Sequence, residues 1–231
     1  MPSTTRNTTA SSRSSKNANI AETLTDRAYT EIEELIVTLQ LEPGSAVSEQ
    51  MLSERLGIGR TPIREALQRL ARERLVRILP RRGVVVSAID VAAQLRLLEV
   101  RRELERLVAR GAARRASEAE RERFGELARQ FEKAGRAGDD KTFMRTDREF
   151  NELCLAAVKN EFAAGAMGLM NSLSRRFWFH HYKQAADMPE TAKLHADIAR
   201  AIAEGDEEEA GAALDRLLDN IQAFTRATLG V

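Results

Sequence analysis

Two glycines, two positions apart, interrupt a run of helix-forming residues between positions 56 and 70, and no other segment constrains the fold as strongly. Because glycine has no Cβ, Gly57 and Gly59 let the backbone adopt turn conformations that other residues oppose. Thr61 then suits a helix N-cap, and Pro62 suits the first helical position, where its missing N–H is not needed. The pattern predicts a short helix, a tight turn and a second helix that begins near Thr61.

The second of these helices has two chemically different faces. Its apolar residues recur at the spacing of a buried stripe: Ile63, Ala66, Leu67 and Leu70. Arg60, Arg64 and Arg69 lie off that stripe. A helix that packs one face on its own domain and carries guanidinium groups near its N-terminus is typical of a helix-turn-helix recognition helix, which enters the major groove of DNA.

Positive charge is concentrated around these two helices. Residues 55–82 contain nine arginines and two glutamates, although the formal net charge of the whole chain is only +1. Local positive charge of this kind is expected of a surface that binds phosphate. A solvated, arginine-rich pair of helices would carry the same charge, so charge alone does not decide between the two interpretations.

The flanking segments complete a winged helix-turn-helix. A helix is predicted over residues 24–40, and Ser48 is placed to cap the helix that precedes the glycine turn. Apolar runs at 75–79 and 84–87 predict two short strands, and the basic turn between them forms the wing. Residues 21–88 are therefore predicted to form a DNA-binding domain.

The rest of the chain is predicted to be helical. Alanine, leucine, arginine and glutamate are plentiful there, and these residues lose little side-chain freedom in a helix. Apolar periodicity places helices at 90–115, 117–136, 139–158, 162–184, 190–204 and 206–228. Because the connections are short, the helices are expected to be antiparallel neighbours. We predict a mainly α protein: a disordered tail (1–20), the N-terminal winged helix-turn-helix, and an antiparallel all-helical bundle (89–231) for effector binding and dimerisation.

Several classes of protein are disfavoured. The single cysteine, Cys154, cannot form an internal disulfide, which favours the reducing cytoplasm. No apolar run approaches the ~20 residues of a membrane span. No nucleophile elbow or phosphate-binding loop is present either. We therefore expect no enzyme, although an acid–base pair of Asp147 and His195 is an alternative that a turnover assay would test.

Polar residues on apolar helix faces predict a binding cavity in the helical domain. Arg101, Asp147, Asn151 and His195 come from three different helices that face one core. Burying a charged group without a partner costs about several kcal/mol of folding free energy. We therefore expect these residues to bind each other or a ligand. We predict that Arg101 forks onto the carboxylate of an organic acid, with Asn151 and His195 as neutral donors. An internal Arg101–Asp147 salt bridge without any ligand is the alternative.

The sequence resembles the GntR family of bacterial transcription regulators. The N-terminal resemblance rests on residues 41–44 (LEPG), 48–52 (SEQML), 57–67 (GIGRTPIREAL) and 80–83 (PRRG). The C-terminal part is similar to the ligand-binding domain of the FadR-type branch, the FCD domain, through residues 99–105 (EVRRELE), 147–151 (DREFN), 194–195 (LH) and 205–206 (GD). Together these segments span everything except the tail.

The resemblance assigns the DNA contacts. By position they are Gln50, Arg60, Thr61 and Arg64, with Arg81, Arg82 and Gly83 of the wing entering the minor groove. The chemistry agrees, because arginine can grip guanine O6 and N7 with two hydrogen bonds, while Thr61 and the amides at the helix start can hold phosphate. Arg74 departs from the family pattern, which usually has a glycine there; a residue with a Cβ could strain the helix end or add a phosphate contact.

The resemblance also raises the possibility of a metal. Most FadR-type members hold a divalent ion with one Asp and three His, and the metal helps to bind a small carboxylate. Asp147 and His195 match two of these ligands, but Asn151 and Leu217 stand at the other two positions and suit neither Zn nor Ni. His181 could replace one of them, or could simply end a helix near solvent. We predict that no metal is required.

The function that the resemblance implies is effector-controlled transcription regulation, usually repression. Two operator half-sites one turn apart require a two-fold protein, so we predict a homodimer on a palindromic DNA operator. A small carboxylate would shift the placement of the winged domains by binding one arrangement more tightly. In the alternative, the helical domain only dimerises and DNA affinity does not depend on any ligand.

Overall fold

A computed structural model describes residues 23–80, 83–185 and 187–228. The predicted tail at 1–20 and the wing arginines Arg81 and Arg82 lie outside these ranges. The N-terminal part contains the helices α1 (Leu24–Val37), α2 (Glu49–Leu56) and α3 (Arg60–Arg72), and the strands β1 (Ala46–Val47), β2 (Val76–Leu79) and β3 (Gly83–Val86).

The three strands form one antiparallel sheet in the order β1-β3-β2. Val76 pairs with Val86 and Leu79 pairs with Gly83, as expected of a hairpin wing. The sequence predicted β2 and β3 but not β1, because two residues are too few to show an alternating pattern. This sheet and the three helices confirm the predicted winged helix-turn-helix.

Two helix ends differ from the prediction. Helix α1 stops at Val37 rather than at residue 40, because Leu39 adopts a left-handed φ of 61° and the Leu41 N–H donates to the Leu35 carbonyl at 2.9 Å. Helix α3 begins at Arg60, with Gly59 as its N-cap, so Thr61 is not the cap. Pro62 is the third helical residue, where its N–H would still have no partner within the helix.

Helix α3 ends in a left-handed conformation, one of the two outcomes that the departure of Arg74 from the family pattern suggested. Arg74 has a φ of 62°, and the N–H of Leu75 closes the end by donating to Leu70 O at 3.0 Å. Glycine adopts this left-handed conformation without a steric cost, whereas a residue with a Cβ loses about 1 kcal/mol.

The Arg74→Gly variant should therefore be more stable, with a free energy of unfolding higher by about 1 kcal/mol in urea denaturation. The matched control is Arg72→Gly in the last turn of α3, which should lower stability because glycine disfavours a helix. A loss of stability in Arg74→Gly would instead mean that the Arg74 side chain makes contacts worth more than the backbone strain.

The C-terminal part is an all-helical bundle, as predicted. Its helices are α4 (Val91–Arg115), α5 (Glu118–Ala137), α6 (Asp140–Ala157), α7 (Glu161–Gly168), α8 (Asn171–Ala185), α9 (Met188–Glu204) and α10 (Glu207–Ala227). The prediction of a single helix over 162–184 is wrong, because the helix ends at Gly168 and a new one begins at Asn171. There the Leu169 and Met170 N–H groups donate only three residues back, to Ala166 and Met167.

Buried hydrophobic residues form two clusters, one within residues 28–86 and one within residues 98–218. In the second cluster Phe124 and Phe131 are fully buried. Gly135 lets α5 approach α9 closely, since a Cβ at that position would lie 2.7 Å from the Cβ of Ala192. The predicted domain boundary between residues 88 and 89 stays a prediction. Within the described ranges, the helices are all too short or too polar to cross a membrane.

Candidate functional site

The first residues of α3 present two arginines on the protein surface. The apolar stripe of α3 is buried as predicted, while the side chains of Arg60 and Arg64 are 64% and 58% exposed. Glu49 of α2 lies between them: it accepts two hydrogen bonds of 2.8 Å from Nε and Nη2 of Arg64, and it lies 3.7 Å from Arg60 Nη2. The hydrogen bonds from Arg64 hold the pKa of the Glu49 carboxyl below its usual range.

The other predicted DNA contacts surround this pair or lie on the wing. Thr61 is exposed next to Arg60 at the α3 N-terminus. Gln50 is exposed on α2, where its amide donates to Glu54 at 2.9 Å. Gly83 begins β3 with a φ of 83°, in the left-handed region that favours glycine. This surface has the exposed donors that groove and phosphate contacts require.

Arg69, further along α3, serves packing. Its guanidinium lies 3.6 Å from the centre of the Tyr29 ring on α1, and the Tyr29 hydroxyl donates to Glu73 at 2.8 Å. Thr25 of α1 also donates to Glu65 of α3, at 2.7 Å. These contacts fasten the recognition helix to α1, so a shift of α1 would carry α3 with it.

A cavity of about 100 Å³ lies inside the helical bundle. It is lined by residues of α4, α6, α7, α8, α9 and α10, most of them apolar or aromatic, such as Phe143, Phe150 and Leu217. The four predicted effector residues, Arg101, Asp147, Asn151 and His195, all line it. A mostly apolar cavity with a few convergent polar groups is typical of a small-molecule site.

Arg101 has a partner within the protein that the sequence analysis did not consider. Its guanidinium bonds to Glu105, one helical turn further along α4, with 2.5 Å between Nη2 and Oε1. Both side chains are nearly buried, at 12% and 11% exposed. The structure thus has this pair in place of the Arg101–Asp147 salt bridge that was the alternative. The effector contact of Arg101 stays a prediction, and an acid would have to compete with Glu105 for the guanidinium.

Asp147 and His195 form a second polar group in the cavity. Nε2 of His195 lies 3.3 Å from Oδ1 of Asp147, and Nδ1 lies 2.8 Å from the carbonyl oxygen of Thr191. Because a carbonyl only accepts, Nδ1 carries a hydrogen. The Asn151 amide donates to Oδ1 of Asp147 at 3.1 Å. Burial raises the pKa of Asp147, but its hydrogen bond with His195 and nearby positive charges outweigh burial and lower it.

The residues at the family's metal positions do not fit a tight site. Asp147 and His195 adjoin each other, but Asn151 offers only an amide oxygen where the family has an imidazole nitrogen, and Leu217 is buried and apolar. His181 packs against the Phe177 ring, with centroids 4.6 Å apart, and is not among the described lining residues. Within the described ranges, His, Cys, Asp and Glu nowhere form a group of three suited to a metal.

Helix α8 contributes buried arginines that the sequence analysis did not single out. Arg175 lines the cavity, yet its Nη1 and Nη2 reach Glu33 and Glu34 of α1 at 2.7 and 3.3 Å. Arg176 donates to the carbonyls of Ser87 and Ala88 at 2.9 and 3.3 Å, and burial lowers its pKa to about 10. The only signal in the sequence is the Arg-Arg pair in front of three aromatic residues.

A winged helix-turn-helix with exposed arginines, joined to a helical domain with an internal cavity, defines the class of DNA-binding transcriptional regulators. Residues 24–86 match the model of the bacterial regulatory proteins of the gntR family, and residues 96–220 match the FCD domain. The FCD match alone covers more than half of the chain. The protein belongs to the GntR family and carries an FCD domain, and that family consists of regulators rather than enzymes.

Relatives and solved structures agree with this assignment. The chain is 25% identical to the HTH-type transcriptional repressor RspR of Escherichia coli over 83% of this chain and 84% of RspR. A regulator from an unstable DNA locus of Streptomyces ambofaciens is 44% identical, but over only 28% of this chain and 27% of its own length. The fold matches E. coli McbR/YncC with a TM-score of 0.69 at 20% identity, over 90% of this chain and 99% of McbR/YncC.

Proposed function

We propose that the protein is a homodimeric, cytoplasmic repressor whose affinity for a palindromic operator is controlled by a small organic acid bound in the helical domain. The observation that carries the proposal is the cavity: its charged and polar groups lie among apolar residues, and one of them, Arg175, also bonds to the DNA-binding domain. A ligand there could therefore act on α1, and through α1 on the recognition helix.

On the DNA side, Arg60 and Arg64 are proposed to read guanines in the major groove. Glu49 holds the two guanidinium groups close to one another before DNA binds, and in the complex Arg64 exchanges its two bonds to Glu49 for two bonds to the base. Thr61 and the amides at the α3 N-terminus hold a phosphate, Gln50 contacts the neighbouring backbone or base, and the wing with Arg81, Arg82 and Gly83 enters the minor groove.

The exposed face of α4 supports a homodimer. Val100 and Leu107 are seven residues apart, so they lie two turns apart on one side of the helix, and they are 52% and 46% exposed. Large apolar side chains on one exposed face favour burial against another surface. A second copy of this chain is the proposed partner, because a palindromic operator needs a two-fold protein.

The double variant Val100→Asp, Leu107→Asp should therefore be monomeric, whereas the wild type should be a dimer. Light scattering coupled to size-exclusion chromatography measures the molar mass, which should be twice that of the chain for the wild type. Leu24→Asp, which changes a 60%-exposed leucine on α1, is the matched control and should leave the dimer intact. A double variant that remains dimeric would exclude this face as the interface.

Ligand binding can be measured directly, because the single tryptophan of the chain, Trp178, lines the cavity. The test titrates small organic acids against tryptophan fluorescence and thermal stability, in chelator and again with Zn or Ni. An acid at 100 times its Kd should add ~2.7 kcal/mol of stability. Binding in chelator supports a metal-free sensor; binding only with metal contradicts that part, and no binding contradicts effector control.

A further inference from the structure

Helix α8 belongs to both halves of the molecule. Ser174, Phe177 and Trp178 line the cavity, whereas Leu173 packs against the hydrophobic cluster of the winged domain. Arg175 does both, because it lines the cavity and bonds to α1. No other arginine that lines the cavity within the described ranges has a bond to the DNA-binding domain, since Arg101 is paired with Glu105.

Two neighbouring polar atoms on α8 are buried without a hydrogen-bond partner among the described residues. They are Oγ of Ser174 and Nε of Arg175. Buried polar groups in native proteins are nearly always satisfied. Both residues line the cavity, so a small rotation of their side chains would turn these two donors toward a polar group bound there. Both atoms can donate a hydrogen, and one belongs to a cation, so the group they fit is an anionic acceptor.

The guanidinium of Arg175 is only partly used. Nε and Nη2 form the edge that grips a carboxylate with two parallel bonds, as Nε and Nη2 of Arg64 grip Glu49. On Arg175, however, Nε is unpartnered and Nη2 makes a long bond of 3.3 Å to Glu34, whose side chain is 46% exposed. Nη1, on the other edge, bonds to the nearly buried Glu33 at 2.7 Å.

We propose that the carboxylate of the effector binds the Nε–Nη2 edge of Arg175 and Oγ of Ser174, and that it takes Nη2 from Glu34. This inference rests on the proposed function and identifies the residue that recognises the acid. Glu33 keeps Arg175 oriented, while Glu34 and the effector compete for one donor. Occupation of the cavity therefore removes one of the two bonds from Arg175 to α1, the helix to which α3 is fastened.

The charges that face Arg175 agree with this role. Burial lowers the pKa of Arg175, but the negative charges of Glu33, Asp147 and Glu34 raise it by more than burial lowers it. The guanidinium therefore stays charged. An effector carboxylate at Nε would be repelled by the negative charge of Asp147. This repulsion is reduced because the Asn151 amide donates to the Asp147 carboxylate and Nε2 of His195 lies 3.3 Å from it. Arg101 is balanced by Glu105. The cavity thus retains one cation whose donors are not fully taken.

The test measures Trp178 fluorescence while acetate, pyruvate, succinate and citrate are titrated, each against its amide and against sodium chloride at equal ionic strength. At least one acid should bind saturably to the wild type, and its amide should not. Arg175→Lys, which keeps the charge but loses the fork, should bind that acid about 10- to 100-fold more weakly. Glu34→Gln should bind it about two- to fivefold more tightly, because the competing carboxylate is gone.

Two controls isolate the effect. Glu31→Gln removes the same charge from α1, but Glu31 pairs with Arg27, so acid affinity should not change. Arg200→Lys alters an arginine that pairs with Glu132 and Asp197 outside the cavity and should also bind as the wild type. If Arg175→Lys fails to fold, the affinity of Glu34→Gln for the acid still tests the inference. The Glu34 side chain is partly exposed, so this variant should fold.

Unchanged affinity in both Arg175→Lys and Glu34→Gln would overturn the inference, as would equal binding of acid and amide, or no binding of any acid. DNA binding is measured on the same preparations. If the wild type binds an operator and an acid changes that affinity without Arg175, the regulator stands and this subsite fails. If the wild type binds no DNA specifically, the proposed function fails regardless of the acid.

Discussion

Arg64→Ala is expected to bind a specific operator about 10- to 100-fold more weakly than the wild type, a loss of ~1–3 kcal/mol. Arg64 is 58% exposed and bonds within the protein only to Glu49 among the described contacts, so the fold and the proposed dimer should not change. The lost energy is that of two hydrogen bonds to one base, and sequence preference should relax at that base pair. Fluorescence anisotropy on operator DNA and on scrambled DNA measures both effects.

Arg27→Ala is the matched control for Arg64→Ala. Arg27 lies on α1, is 52% exposed and pairs with Glu31, so the variant loses the same charge away from the proposed DNA surface. It should change operator affinity little, and only through long-range charge. Equal operator affinity of Arg64→Ala and the wild type would contradict the placement of α3 in the major groove.

Arg101→Met is expected to lower the free energy of unfolding by about 3–5 kcal/mol, because it leaves the carboxylate of Glu105 buried without its partner. Glu105 is 11% exposed, and its bonds to Nε and Nη2 of Arg101 are 2.6 and 2.5 Å long. Urea denaturation followed by circular dichroism measures the loss.

A second substitution separates the ion pair from other roles of Arg101. The double variant Arg101→Met, Glu105→Leu should recover most of the stability, because no unpaired charge remains. Arg110→Met, which breaks an exposed pair with Glu208, should cost less than about 1 kcal/mol. If Arg101→Met loses acid binding but almost no stability, Arg101 is a ligand of the effector after all, and the Glu105 pair is secondary.

Local patterns predicted the DNA-binding half well. The turn between α2 and α3 depends on Gly57, which adopts a φ of 64°, and the buried face of α3 follows from the spacing of four apolar residues. The start of α3 was misplaced by two residues, because Gly59 rather than Thr61 is the N-cap and it caps the helix without a side chain. The left-handed φ of Arg74 was one of two alternatives that the resemblance suggested, since the family usually has a glycine there.

Contacts distant in sequence could not be predicted in the same way. The four polar residues of the cavity were found because each interrupts an apolar helix face, but their pairing was not. Arg101 has carboxylates both one turn away and across the cavity, and the sequence does not say which one it meets. The bond from Arg175 to Glu33 joins residues 142 positions apart, and it depends on the break after Gly168, which periodicity missed.

The central claim is that an acid in the helical domain controls DNA affinity, and one titration tests it most directly. The 231-residue chain is first used to select its operator from random duplex DNA, and its affinity for that operator is then measured with and without each acid that binds the cavity. We predict specific binding that changes at least about tenfold, ~1.4 kcal/mol, when the acid saturates, in the presence of chelator. Operator affinity that stays constant while the cavity is saturated would contradict the account and leave the helical domain as a dimerisation unit.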